Sequence, residues 1–158
     1  SRLHDALSRL DPARPVVVEA ESSRIGARVI PPALWTAMAA APVIEIAAPI
    51  EARVAHTVET YVEIAADPVA LDTALGRLPR HHSKATINEW RAMAARGEIA
   101  DLARQLIEAH YDPAYVRTGA ERARPVLDRL PLADLSPGSI EAAALSLAAG
   151  LDRGRDPA

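Results

Sequence analysis

The sequence predicts an α/β fold, a parallel sheet with a helical subdomain beside it. Three observations carry that prediction. Short β-branched runs at 16–18 (VVV), 43–46 (VIEI) and 124–130 (RPVLDRL) alternate with longer stretches of helical periodicity. Strands separated by helices pair in parallel, because a helical crossover returns the chain to the end of the sheet from which it started. From about 67 to 122 helical segments succeed one another without a strand, which predicts a helical insertion within a single domain spanning 1–158.

Taken in order, the opening SRLHDALSRL reads as the middle of an amphipathic helix with Leu3, Ala6, Leu7 and Leu10 on one face. The chain is therefore expected to begin inside a larger protein. Val16, Val17 and Val18 show no polar alternation, which suits a central strand covered on both faces. Pro31 and Pro32 open a helix that carries Leu34, Met38 and Ala41 on one side, and Pro42 stops it. Val43 to Ile46 form the second predicted strand. Pro49 begins a longer helix to about Ala66, with Val54, Val58, Tyr61, Val62 and Ala65 at three- and four-residue spacing as its core stripe.

Asp67 with Pro68, and Asp112 with Pro113, have the form of an N-cap followed by proline at the first helical position. Between them three helices are expected, near Val69 to Leu78, Lys84 to Arg96 and Glu98 to Tyr111, with Gly97 as the break between the last two. Arg124 to Leu130 supply a third strand. Ser136 and Pro137 start a final helix expected to end at Gly150, and LDRGRDPA reads as a frayed tail.

Composition narrows the function. With 49% hydrophobic residues the chain can bury a core, and no apolar stretch is long enough to cross a bilayer, so a cytoplasmic protein is expected. There is no cysteine, which excludes disulfides, thiolate metal sites and a cysteine nucleophile within these residues. Lys84 is the only lysine, and the net charge is −3. That balance argues against a broad, sequence-independent nucleic-acid surface and leaves room for a local RNA contact.

Candidate site residues fall in four places. Glu19, Glu21, Ser22, Arg24 and Gly26 come after the first predicted strand, at the sheet edge where ligands collect in parallel α/β folds. Carboxylates there suit a hard cation such as Mg²⁺, and an arginine suits phosphate through its planar fork of donors. The competing reading is an ordinary strand exit with solvated charges and a turn glycine. Arg53, near the start of the long helix, has the reach to meet phosphate or RNA; alternatively it is a solvated arginine beside Glu51 or another acid. Arg77, Arg80 and Lys84, with His81 and His82, form the densest basic patch, suited to a lid or a phosphate-backbone contact and equally to a solvated loop. Tyr111 and Tyr115, four apart, either pack together or stack on unpaired RNA bases.

Two of these segments carry a resemblance. The run VEAES with Arg24, Ile25 and Gly26, and the later HYDPAY at 110–115 with Trp90 and Gly97 before it, resemble the P-loop domain of the tRNA 2-selenouridine synthases over roughly Arg14 to Arg117. The family carries arginine directly after the first serine, where this chain has Ser23, so Arg24 is the better match. The resemblance implies a fragment of a P-loop NTPase-like parallel sheet. It implies tRNA as partner, at the anticodon loop and its wobble uridine. It implies selenophosphate and geranyl diphosphate as substrates, and a geranylated thiouridine intermediate on the way to 2-selenouridine. No G-x-x-x-x-G-K followed by Ser or Thr occurs, and the resemblance implies that the nucleotide-binding loop, and a rhodanese-like domain with its catalytic cysteine, lie upstream. No cofactor is expected within these residues, and by themselves they are expected to be inactive. A P-loop small-molecule kinase and a non-catalytic binding module are the alternatives.

Overall fold

The computed structural model describes residues 2–19, 22–78, 82–117 and 124–153, with the side chains of 115–117 and 152–153 outside that description. Glu21, Arg80, His81, the Tyr115 side chain and the tail from 154 onward therefore lie outside it. Among the described residues the fold is mixed α/β, with one short parallel strand pair and many helices.

Helix α1 spans Arg2–Leu7 and buries no residue; Leu3 and Leu7 stand about two-fifths exposed. The first predicted strand does not form. Val16, Val17 and Val18 carry no secondary structure and are 53%, 61% and 53% exposed. β-branched residues favour extended backbone, but a strand's hydrogen bonds come from a neighbour, and no described strand pairs with this one. In its place the chain forms a small hairpin a few residues later, β1 Arg24–Ile25 against β2 Arg28–Val29, in antiparallel register. Gly26 opens its two-residue turn at φ +59, and a Cβ there would meet no atom within 4 Å. Backbone conformation rather than space selects glycine at that point.

Helix α2 (Pro32–Ala40) ends where predicted, with Ala41 extended ahead of Pro42. Arg124 reaches back across 83 residues to close it. Its Nε donates to the Ala41 carbonyl and its Nη2 to the Met38 carbonyl, both at 2.8 Å. This brings the start of β4 (Val126–Pro131) beside the start of β3 (Val43–Ala47). The two strands pair in parallel, with a bulge between Val43 and Ile44 that leaves Leu127 without an opposite residue. Glu45 and Arg129 face each other in the register and form an ion pair at 2.8 Å.

The long helix predicted after Pro49 is divided. Helix α3 covers Ile50–Thr60 and α4 covers Val62–Ala66, with Tyr61 at φ −108, ψ 24 between them. The expected core stripe therefore stops early. Val54 is buried and Val58 half-buried, whereas Tyr61 and Val62 are 52% and 59% exposed. The Asp67–Pro68 signal holds. The Asp67 carboxylate accepts from the amides of Val69 at 2.9 Å and Ala70 at 3.1 Å, and α5 runs Pro68–Leu75. Helices α6 (Lys84–Ala95) and α7 (Ile99–Leu106) are separated by Gly97 at φ +74. Arg96 spans this turn onto the Glu98 carboxylate at 2.7 and 2.8 Å, and that bond holds the Glu98 carboxyl below its ordinary range.

Asp112 does not cap a new helix. Backbone of π-helical form runs from Ile107 to Tyr111 and passes straight into α8 (Asp112–Arg117), with Asp112 itself helical. The final helix, α9, runs Pro137–Arg153 and continues through Gly150, since a single glycine lowers helix propensity without ending a helix.

Among the described residues two buried clusters hold the helices. Leu75, Ile87, Trp90, Met93 and Leu102 join α5, α6 and α7, with Leu71, Leu78, Ala94 and Leu106 against them. Val54, Ala103 and Ile107 join α3 to α7, with Ile50 and Val58 at the margin.

One prediction concerns the start of α9. The Asp134 carboxyl is drawn down to about 2 by hydrogen bonds, first from the Ser136 hydroxyl, then from Ser139, then from the Ser136 amide at 2.9 Å. A carboxyl lowered in the folded state stabilises it above the unfolded value of 3.8, and that contribution is lost as pH falls through the folded value. An NMR titration should give a midpoint for Asp134, and for the Ser136 amide that reports it, well under 3.8. A midpoint near 4 would contradict the cap.

Candidate functional site

The carboxyl ends of β3 and β4 lie together. Ala47 stands opposite Pro131, and the Leu132 amide donates to the Ala47 carbonyl at 2.8 Å. Pro49 then starts α3, and Arg53 is the first residue whose amide returns to it, donating to the Pro49 carbonyl at 3.1 Å. Arg53 thus sits one helical turn beyond the strand edge, where parallel α/β folds present ligands.

Its guanidinium forms a two-pronged ion pair with Asp112. Nη1 donates to Oδ2 at 3.1 Å, and Nη2 donates to Oδ1. The Arg53 side chain is 34% exposed and that of Asp112 is 42%, so the pair is a half-exposed one. The sequence placed Arg53 beside Glu51 or another acid; that acid is Asp112, and Glu51 meets Arg104 of α7 at 3.4 Å.

The same π turn carries an aromatic cluster. His110 Nδ1 lies 2.9 Å from His82 Nε2, so one ring supplies the proton and the other the lone pair. His82 meets Trp90 edge to face at 4.7 Å between ring centroids, and His110 meets Tyr111 at 5.1 Å. The Trp90 indole donates to Gln105 Oε1 at 2.8 Å. Tyr111 remains 47% exposed. Sequence reasoning took His82 as part of a loop and Asp112 as a cap, and missed that one turn gathers both. The only signal was the HYDPAY segment itself.

The remaining candidates stand apart from this cluster or beyond description. Glu19 and Ser22 are exposed, and Ser22 Oγ accepts from the Arg24 amide at 3.1 Å within its own turn. Arg24 and Gly26 belong to the hairpin and are exposed. Arg77 is exposed just after α5, and Lys84 is exposed at the first position of α6, whose N-cap Ser83 accepts from the Thr86 amide at 3.1 Å. Among the described residues no three His, Asp or Glu side chains converge as a cation would require, so these residues form no ready-made Mg²⁺ cage. Among the same residues no helix is long and apolar enough to cross a membrane.

Residues 2–78 match the family model of the tRNA 2-selenouridine synthase AAA domain, just under half of the chain. The match takes in Glu19 to Gly26, Arg53 and Arg77, and stops before the HYDPAY segment. No curated protein and no solved structure matches the chain.

Proposed function

We propose, on the premise that residues 2–78 are the AAA-domain segment of a tRNA 2-selenouridine synthase, that the protein replaces sulfur by selenium in the wobble 2-thiouridine of tRNA. Selenophosphate is the selenium donor, and the reaction passes through a geranylated thiouridine formed from geranyl diphosphate. The family match carries this reading. Arg53, one helical turn beyond the strand edge and paired with Asp112, is a phosphate candidate by residue type, since both donors are phosphorylated. Arg24, on the exposed hairpin, is a second phosphate candidate. Arg77, Arg80 and Lys84 are candidates for the RNA backbone, and Tyr111 and Tyr115 for unpaired bases of the anticodon loop. The chain holds no cysteine, so a thiol step falls to a group outside these residues.

The full-length protein, given 2-thiouridine tRNA, geranyl diphosphate and selenophosphate, is expected to yield 2-selenouridine, read as the mass of the digested nucleoside. ATP turnover without tRNA, and no change in the nucleoside, would replace this reading with that of a small-molecule kinase.

A further inference from the structure

We propose that His82 and His110 share one proton and form a pH-sensitive latch, which fastens the start of α6 to the π turn and opens when both rings are charged. The latch follows from the geometry of the contact and from the number of protons two imidazoles can place in it.

His82 immediately precedes Ser83, the N-cap of α6, and His110 lies within the π-helical stretch Ile107–Tyr111. Their facing nitrogens are 2.9 Å apart and their ring centroids 5.1 Å. The difference is taken up almost wholly by the two ring radii, so both nitrogens point along the line that joins the rings. That is the geometry of a hydrogen bond, and not that of two ligands aimed sideways at a shared cation. Both residues are half-buried, with His82 against the Trp90 ring and His110 against that of Tyr111. Packing therefore holds the rings as well as the bond does.

Whatever the outer nitrogens meet, the two facing ones carry a single proton between them while the bond lasts. In the neutral pair one ring donates and the other accepts. One added proton leaves that arrangement intact, because an imidazolium donates to a neutral ring through a charge-assisted bond. A second puts a proton on both facing nitrogens, which removes the acceptor and sets two like charges against each other in a half-buried place. Uptake therefore falls into two steps that belong to the pair rather than to either ring. The bond holds above the lower step and is lost as pH falls through it.

The charged groups on the surrounding elements leave this logic in place. Lys84, two residues after His82, and Arg77, after α5, are exposed and add positive charge, which opposes the second proton. Glu108 is exposed on the π turn, and Asp112 is engaged by Arg53 of α3. On α6, Glu89 meets Arg96 and Arg91 meets Asp72 of α5, while Arg104 of α7 meets Glu51. The Tyr111 ring lies against His110, and a phenol ionises only well above the histidine range. Because Lys84 opens α6, the latch sets where that cation stands relative to the π turn and Tyr111.

In the full-length protein carrying isotope-labelled histidine, the ring resonances are followed by NMR from about pH 8 to about pH 4. Those of His82 and His110 should move together in two steps at least about one pH unit apart, which is about a tenfold difference in proton affinity. In His110→Gln, His82 should titrate in one step, and in His82→Gln, His110 should do the same. Through the lower step hydrogen exchange should quicken several-fold at the Ile87 amide, which donates to the Ser83 carbonyl in the first turn of α6, and at the amides of the π turn. The amides of β3 and β4 should keep their rates.

A single step for each ring, unmoved when the other is replaced, would show that no proton is shared and overturn the latch. The parent titration decides this even where a glutamine variant fails to fold, since uncoupled rings there would move independently. Two steps with unchanged exchange at Ile87 and the π turn would leave a shared proton that fastens nothing, and overturn the latch as well. An equal rise at β3 and β4 through the same step would mark general acid unfolding, with the same result.

Discussion

Trp90→Ala should destabilise the helical region severely. Trp90 is 1% exposed and lies among Leu75, Ile87, Met93 and Leu102, each at most 5% exposed. Truncating a buried tryptophan to alanine costs about 3–5 kcal/mol, the sum of lost transfer energy and the cavity left behind. Domains of this size hold only about 5–15 kcal/mol in all, so the loss is a large share of it. The indole hydrogen bond contributes much less. Its acceptor, Gln105, is exposed and can turn to water, so Trp90→Phe should cost about 1 kcal/mol for the bond plus a modest packing term. Urea unfolding followed by far-UV circular dichroism separates the two variants. An alanine variant less than about 1 kcal/mol weaker than the parent would mean that the cluster around Trp90 is not the core of this region.

How much was legible in the sequence depended on how far each signal had to reach. Asp67 with Pro68 was readable because the cap, its two amide donors and the proline lie within four residues. Gly97 was readable for the same reason, as a single residue that can adopt positive φ at a helix end. The strands at 43–47 and 126–131 were readable as runs, and their pairing came from the α/β alternation. Val16 to Val18 gave an equally strong run and formed no strand, because a β-branched block states a preference that only a neighbouring strand can satisfy. The divided helix at Tyr61 and the π turn at 107–111 left no mark in the three- and four-residue periodicity.

The candidate site obeys the same rule. Arg53 was visible as an arginine near a helix start, but its partner lies 59 residues away on a turn whose register no local pattern reveals. His82 and His110 are 28 residues apart and meet only because α6 and the π turn pack around Trp90. Residue types announced the chemistry, while the contacts that give it geometry depended on packing between helices distant in sequence. The family match to residues 2–78 reaches Arg53 and leaves Asp112 outside, so the pairing had to come from the fold.

Ile107→Ala should detach α3 from the helical region while leaving the Trp90 cluster in place. Ile107 is 4% exposed and packs with Val54 and Ala103, in a cluster that shares no buried residue with the one around Trp90. Truncation of a buried isoleucine to alanine costs about 2–5 kcal/mol, against about 0.5–1.5 for Ile107→Val. The loss should be local. Hydrogen exchange is expected to speed up at the amides of α3 around Val54 and Val58, with α6 around Ile87 and Trp90 little changed. Trp90→Ala should give the reverse ranking, with protection falling first in α5 and α6. Because Ile107 opens the π turn and Arg53 lies one residue before Val54, slackening this contact should also loosen the Arg53–Asp112 pair. If exchange rises equally in α3 and α6, the two clusters form one cooperative core, and the α3 turn carrying Arg53 cannot be uncoupled from the other helices without unfolding both.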